Sequence, residues 1–153
     1  MDGRIYSIHL SEMKGSSCVE VKQAKVVRNF GLESDIRAGD TVKQVSLHSI
    51  EGIRRQRKCA RIGETKKNLV PGDFSENITT IDMDLTSLKL HDKLKINSKV
   101  VLEISKIGKE CYEYCPREAS KNHCVIPKEA IFVKALTSGT ISTGDTIEVM
   151  KDV

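Results

Sequence analysis

Apolar residues recur at alternate or near-alternate positions in many short runs, and this pattern predicts strands rather than long helices. "GRIYSIHLS" opens the chain with Ile5 and Ile8 in an extended setting, "VEVKQAKVV" follows with β-branched residues, and "VKQVSLHS" sets Val42, Val45 and Leu47 in a similar run. After "PGDF" come "ENITTIDMDL", "KLKINSKVVLEISKIG", "AIFVKAL" and "DTIEVMK", each bounded by Gly, Asp, Asn or Ser. Strands in series leave exposed edges unless the sheet closes on itself. The pattern therefore predicts a mainly β fold, a closed or partly closed barrel of short strands with a few short peripheral helices.

Helical patterning is confined to short pieces. In "HSIEGIRRQ", Ser49 is placed to cap a helix and Ile50 and Ile53 lie three apart, although Gly52 weakens the segment. "TSLKLHDKL" and "PREASKN" predict a turn or two each. "LTSGTISTGDTIEVM" reads as strand, turn, strand: Gly139 supplies backbone freedom at one bend, and Gly144 and Asp145 form a second before Ile147 and Val149 return to the core.

Composition narrows the picture. With 153 residues, no internal repeat and no Pro/Gly/Ser linker, the expectation is one domain over 1–153. A domain of that size buries about two thirds of its unfolded surface. The opening "MDGRIYSIHLSEMKG" has charges and no long apolar run, which points to a cytoplasmic protein without a membrane partner. There the odd set of five cysteines stays reduced. The net charge of +4 includes one basic run, "RRQRKCARIGETKK", from Arg54 to Lys67. Such a run attracts anions over a distance, or is simply a solvated face or loop. With no Trp, three Tyr and three Phe, the chain lacks a stacking platform for single-stranded nucleic acid, and a phosphate-bearing small molecule suits the charge equally well.

Candidate chemistry concentrates in "EISKIGKECYEYCPREASKNHCVIPKEAIFVKAL", where Cys111, Cys115, His123 and Cys124 fall between two strand-like runs. These are ligand types for tetrahedral zinc, but adjacent His123 and Cys124 in an extended segment point apart, which counts against zinc. A reactive thiol is the other option. Lys109 and Lys106 favour a thiolate at Cys111, while Glu110 and Glu113 oppose it. In "ENITT", Asn77 offers two donors and an acceptor, and Glu76 an acceptor for amino groups. Both also suit a turn or cap at a strand start. Gly72 allows close backbone approach to a ligand. His9, His48 and His91 occur singly and read as satisfied structural residues, while Asp40, Asp82, Asp84 and Asp92 read as turn residues. No paired carboxylates, phosphate loop or serine elbow is evident.

Four phrases occur in one order: "GRIYSIHLSEMKG", "VKQVSLHSIEGI", "PGDFSENITTIDMDL", and the block from "IGKECYEYC" to "GDTIEV". Together they resemble the MOSC domain, the C-terminal module of molybdenum cofactor sulfurases, which also occurs as small stand-alone bacterial proteins. The resemblance runs over almost the whole chain. It implies a β-barrel that binds molybdenum cofactor or its pterin, with Cys111 as sulfur carrier through a thiolate or persulfide, or as molybdenum ligand. Cys115 and Cys124 fit a subgroup pattern and are candidates for resolving a persulfide or lining the pocket. Arg37, Lys43, Gly72, Glu76, Asn77 and Lys109 become the candidate cofactor-binding residues. The implied partners are a cysteine desulfurase as sulfur donor and a molybdoenzyme or cofactor-biosynthesis protein as acceptor. Pyridoxal phosphate enters only through that separate desulfurase, for which this chain is too short. A non-catalytic cofactor chaperone, and a molybdenum-dependent reductase component acting on N-hydroxylated compounds, remain the alternatives. The chain departs from the family in "GLESDIRAGD": Ser34 stands where Gly is usual, Asp35 is retained, and Arg37 replaces a His. That exchange favours anion binding over proton transfer. Lys43 replaces a frequent Arg and loses its bidentate fork, and Ser75 replaces a Gly.

Overall fold

The computed structural model describes residues 2–12, 18–55, 70–72, 76–108 and 129–150. Eleven strands are described: β1 (Asp2–Leu10), β2 (Val19–Val21), β3 (Gln23–Val27), β4 (Gly31–Leu32), β5 (Val45–Ser49), β6 (Ile78–Ile81), β7 (Lys93–Ile96), β8 (Val100–Ile107), β9 (Ile131–Ala135), β10 (Gly139–Ser142) and β11 (Thr146–Val149). One helix, α1 (Ile50–Arg55), follows β5 directly. Seven strands run in the order β11, β7, β8, β9, β5, β6, β1, and pairing of β11 with β1 closes them into a barrel. β2 extends the sheet beyond β1, while β10, β3 and β4 form a separate three-stranded sheet. The predicted mainly β barrel is therefore the observed architecture. Closure hands each free strand edge to a neighbour, which is why short strands suffice.

Within the barrel, β5 and β6 are the parallel pair and the other neighbours run antiparallel. Parallel neighbours need a long crossover. Here the crossover spans residues 50–77 and includes α1. Ser49 caps that helix as its sequence suggested, its Oγ accepting from the Gly52 amide at 2.9 Å. Ile50 and Ile53 are buried. A side chain at Gly52 would come within 3.0 Å of Glu129, His48 and Ser49, so close packing explains the glycine in the helix.

Ile8, Leu47, Ile78, Leu94, Ile96, Leu102, Ile104, Ile131, Val133 and Ile147 belong to one core cluster, each fully buried. Burying each such side chain contributes about 1.5–3 kcal/mol. Ile5 and Ile8 are both in the core although three residues apart, a spacing a regular strand forbids. The pairing of β1 with β6 slips between Ile5 and Ser7, and this bulge lets both isoleucines point inward while Tyr6 stays 40 % exposed.

Several local expectations are corrected. "VEVKQAKVV" breaks at Lys22 into β2 and β3, which belong to different sheets. Val42 lies before β5 and is exposed, its carbonyl taken by the Ser105 hydroxyl. "KLKINSKVVLEISKIG" is a hairpin of β7 and β8, turning at Asn97 and Ser98 with φ of 47° and 63°. "TSLKLHDKL" yields one 3-10 turn, Leu85–Ser87, capped by Asp84. Gly139 starts β10 and is required by space rather than by a bend, since a Cβ there would lie 2.8 Å from Val100 Cγ2. Gly144, at φ +93°, does form the expected turn, with Ile147 buried and Val149 only partly so. "PREASKN" and residues 56–67 of the basic run lie outside the described residues.

Candidate functional site

The barrel's outer face carries a polar stripe across β5, β6 and β1. Leu47, Ile78 and Ile8 point into the core, so period-two alternation turns Ser46 and His48, Asn77 and Thr79, and Ser7 and His9 to the other side. Register aligns them: His48 lies opposite Thr79, Thr79 opposite Ser7, and His9 opposite Glu20 of β2. An outer barrel face is ordinarily solvated. Here all six of those stripe residues on β5, β6 and β1 are at most 4 % exposed.

Asn77 organises the stripe. Its Oδ1 accepts from the Ser46 amide at 2.9 Å, and its Nδ2 donates to the His9 carbonyl at 3.1 Å and to Asp35 Oδ1 at 3.0 Å. Its own amide donates to the Ser46 carbonyl at 2.8 Å, and its carbonyl accepts from the His9 amide at 2.7 Å. Both side-chain N–H groups are thus committed, to β1 and the 31–40 loop, while Oδ1 holds β5. Asp35 completes the junction by accepting from the Ser11 amide at 2.9 Å and the Arg37 amide at 3.0 Å.

Glu76 differs from Asn77 in one respect. Its Oε2 accepts from the Gly72 amide at 3.0 Å and the Thr79 hydroxyl at 2.8 Å, whereas its Oε1 is buried without a partner among the described residues. The whole residue is 1 % exposed. An orphaned buried carboxylate oxygen costs free energy unless something donates to it. His9 Nδ1, Ser46 Oγ and Ser7 Oγ are buried on the same stripe and unpartnered among the described residues. Gly72, at φ +95°, lies against the His9 ring, where a Cβ would meet Cδ2 at 3.3 Å. Its close approach is thus to His9.

Arg37 and Lys43 lie on the segment between β4 and β5. Arg37 is half-buried beside Asp35, and its guanidinium has no ion-pair partner among the described residues. Lys43 is exposed, with its ammonium 5.8 Å from the Phe132 ring centre, and Phe132 lies opposite Ser46 on β9. Ser34 adopts φ +72°, a left-handed conformation natural to the glycine usual in the resembled phrase. Asp40 accepts from the Val42 and Lys43 amides at 2.9 and 2.8 Å. Those backbone donors, Lys43 first, hold its carboxyl below the ordinary value of 3.8.

Lys109, Cys111, Cys115, His123 and Cys124 lie outside the described residues. The chain leaves β8 at Gly108, whose amide donates to the Ala130 carbonyl, and returns into β9. Ile131, at that return, pairs with both Ile107 and Leu47. Cys18 is free and half-buried, its Sγ 3.2 Å from Ser11 Oγ. No group of three or more metal-ligating side chains occurs among the described residues, and no helix there is long and apolar enough to cross a membrane.

Ser7, Ser46 and Thr79 were not singled out from sequence. The signal was the alternation in "SIHLS" and "VSLHS", which marks a shared face but reads equally well as a solvated one. His9 was expected to be satisfied, yet its Nδ1 has no partner among the described residues. Asp40, Asp84 and Asp92 do act in turns or caps where expected, Asp92 accepting from the Lys89 amide at 2.9 Å, whereas the Asp82 carboxylate pairs with Arg4 at 3.4 Å.

No family model matches the chain, and no curated protein matches it in sequence. Its fold is shared with solved structures. The YUAD protein from Bacillus subtilis superposes with a TM-score of 0.75 at 17 % identity, over 100 % of this chain and 98 % of that one. YiiM from Geobacillus stearothermophilus gives 0.68 at 15 % identity, over 97 % and 75 % of the two chains. YiiM from Escherichia coli gives 0.62 at 16 % identity, over 98 % and 71 %. At such identities the likeness is one of fold.

Proposed function

We propose that this barrel is a MOSC-type domain that binds molybdenum cofactor or its pterin on the polar stripe and carries sulfur on Cys111. The fold shared with the YiiM proteins supports the domain type. The observation that carries the binding reading is the unpartnered Oε1 of buried Glu76. A pterin presents adjacent ring and amino N–H donors, which suit a carboxylate acceptor. His9 Nδ1 and Ser46 Oγ add hydrogen-bonding capacity on the same face. These residues fit the group.

In this reading Glu76 binds the heterocycle, while Asn77 and Gly72 position Glu76 and His9 rather than touch the ligand. Arg37 and Lys43 supply positive charge for the phosphate, joined by Lys109 beside the cysteine. Bound cofactor would supply molybdenum, with Cys111 as the chain's soft ligand or sulfur carrier. For sulfur transfer, the Cys111 thiolate attacks the terminal sulfur of a donor desulfurase's persulfide. The donor's S–S bond breaks, its thiolate leaves, and Cys111 keeps the sulfur as a persulfide. Cys115 or Cys124 can then attack the inner sulfur, forming a disulfide and releasing hydrosulfide.

The test is peptide mass spectrometry after incubation with a cysteine desulfurase, pyridoxal phosphate and cysteine, with Cys111→Ala in parallel. One added sulfur on Cys111, absent from the variant, is the expected result. Sulfur on no thiol, or on other thiols equally, refutes the carrier role. Binding is tested separately by pterin titration of Glu76→Gln, for which weakening by at least about tenfold is expected from losing a charged hydrogen bond.

A further inference from the structure

The bulge in β1 has a second effect where the stripe ends at Ser7. It turns Tyr6 outward beside a cleft of about 340 Å³ whose lining includes Tyr6, Ser7, Glu20, Lys22, Gln23 and Thr143. Bulges often re-aim side chains at binding sites. Ser7 is 4 % exposed, and its hydroxyl, at this lining, has no hydrogen-bond partner among the described residues. The cleft thus combines an open volume with an unsatisfied buried polar group.

Its acid and base are also not paired with each other among the described residues. Glu20 lies in β2 and Lys22 just beyond it, two residues on, so their Cα atoms are within about 7 Å of each other. No ion pair joins them. Glu20 Oε1 is 3.7 Å from His9 Nε2, too far for a hydrogen bond, and Lys22 has no ion-pair partner among the described residues. Glu20 disfavours a simple anion and Lys22 a simple cation. A ligand carrying both charges satisfies both residues. An α-amino acid's ammonium and carboxylate are about 3 Å apart, and with contacts of about 2.8 Å on each side it bridges acid and base separated by about 8 Å.

We propose that this cleft is a binding site for a small zwitterion of the α-amino acid class. Glu20 accepts from its ammonium, near the Tyr6 ring, while Lys22 donates to its carboxylate. Gln23, Thr143 and the Ser7 hydroxyl serve its remaining polar groups. The site uses neither Cys111 nor Glu76, so it stands or falls independently of the cofactor reading.

The test is an amide-resolved NMR titration of the full chain with L-alanine, N-acetyl-L-alanine and L-alanine methyl ester. L-Alanine is expected to shift the amides of residues 6–7, 20–23 and 142–143 saturably, with both derivatives at least about tenfold weaker because each has lost one charge. Glu20→Gln and Lys22→Met, at exposed positions, are each expected to weaken L-alanine by about tenfold while leaving the remaining spectrum unchanged. Absence of saturable shifts at about 20 mM, a weak affinity of under about 2.5 kcal/mol, overturns the proposal. So does equal binding of the derivatives, or variants that bind like the parent.

Discussion

Replacing Asn77 by alanine and by aspartate separates its bonding role from its shape. Asn77 is 1 % exposed and joins three segments through its side chain. Alanine leaves the Ser46 amide and the His9 carbonyl without those partners, while Asp35 Oδ1 keeps the Ser11 amide. A buried group left unsatisfied costs about 1–3 kcal/mol, so Asn77→Ala should destabilise by about 2–5 kcal/mol. That is a large share of the roughly 5–15 kcal/mol that holds a domain together. With a urea slope of about 2 kcal/mol/M, the midpoint falls by about 1–2.5 M at unchanged slope. Asn77→Asp keeps the shape but puts a carboxylate oxygen where Nδ2 now lies 3.0 Å from Asp35 Oδ1. At neutral pH it should be at least as damaging as alanine. Protonating either carboxyl restores a donor, so the aspartate variant should recover relative to alanine as pH falls. Urea melts of all three proteins at neutral and mildly acidic pH decide the matter. An alanine variant within about 0.5 kcal/mol of the parent, or an aspartate variant without acid recovery, refutes the junction role assigned to Asn77.

Four further outcomes are expected. Gly72→Ala forces a Cβ onto a backbone at φ +95° and towards the His9 ring, and should cost about 1–2 kcal/mol in urea melts while shifting the His9 ring signals by NMR. Ser34→Gly removes a left-handed strain at φ +72° but adds unfolded-chain entropy, for a net gain of about 0.5 kcal/mol by thermal or urea unfolding. Ser49→Ala removes the α1 cap and should lower stability by about 1 kcal/mol. Asp40 has a folded pKa below its unfolded value, so its stabilising effect is present above the unfolded value and is lost as pH falls through the folded one. Carboxyl NMR should place its midpoint below 3.8, and Asp40→Asn should reduce the acid dependence of stability in that window.

Strand content, the Ser49 cap and barrel closure were legible in the sequence because each depends on near neighbours or on one general constraint. Alternation along a strand repeats every two residues, a cap needs one hydroxyl at a helix start, and unpaired edges must go somewhere. Gly72, Glu76 and Asn77 were legible as a candidate group for a similar reason, since they are adjacent in one phrase. Their division of labour was not. Asn77 is a junction because β5, β1 and the loop at Asp35 meet it, whereas Glu76 keeps a free oxygen because only Oε2 is used. The Ile5 and Ile8 spacing made sense only with the bulge, which exists through pairing with β6. Likewise, "SIHLS" and "VSLHS" declared that Ser7, His9, Ser46 and His48 share faces, but alternation cannot say whether a face is wet. That depends on what packs over it, a property of residues distant in sequence, and it is what turned an ordinary polar stripe into a buried one with unpaired atoms.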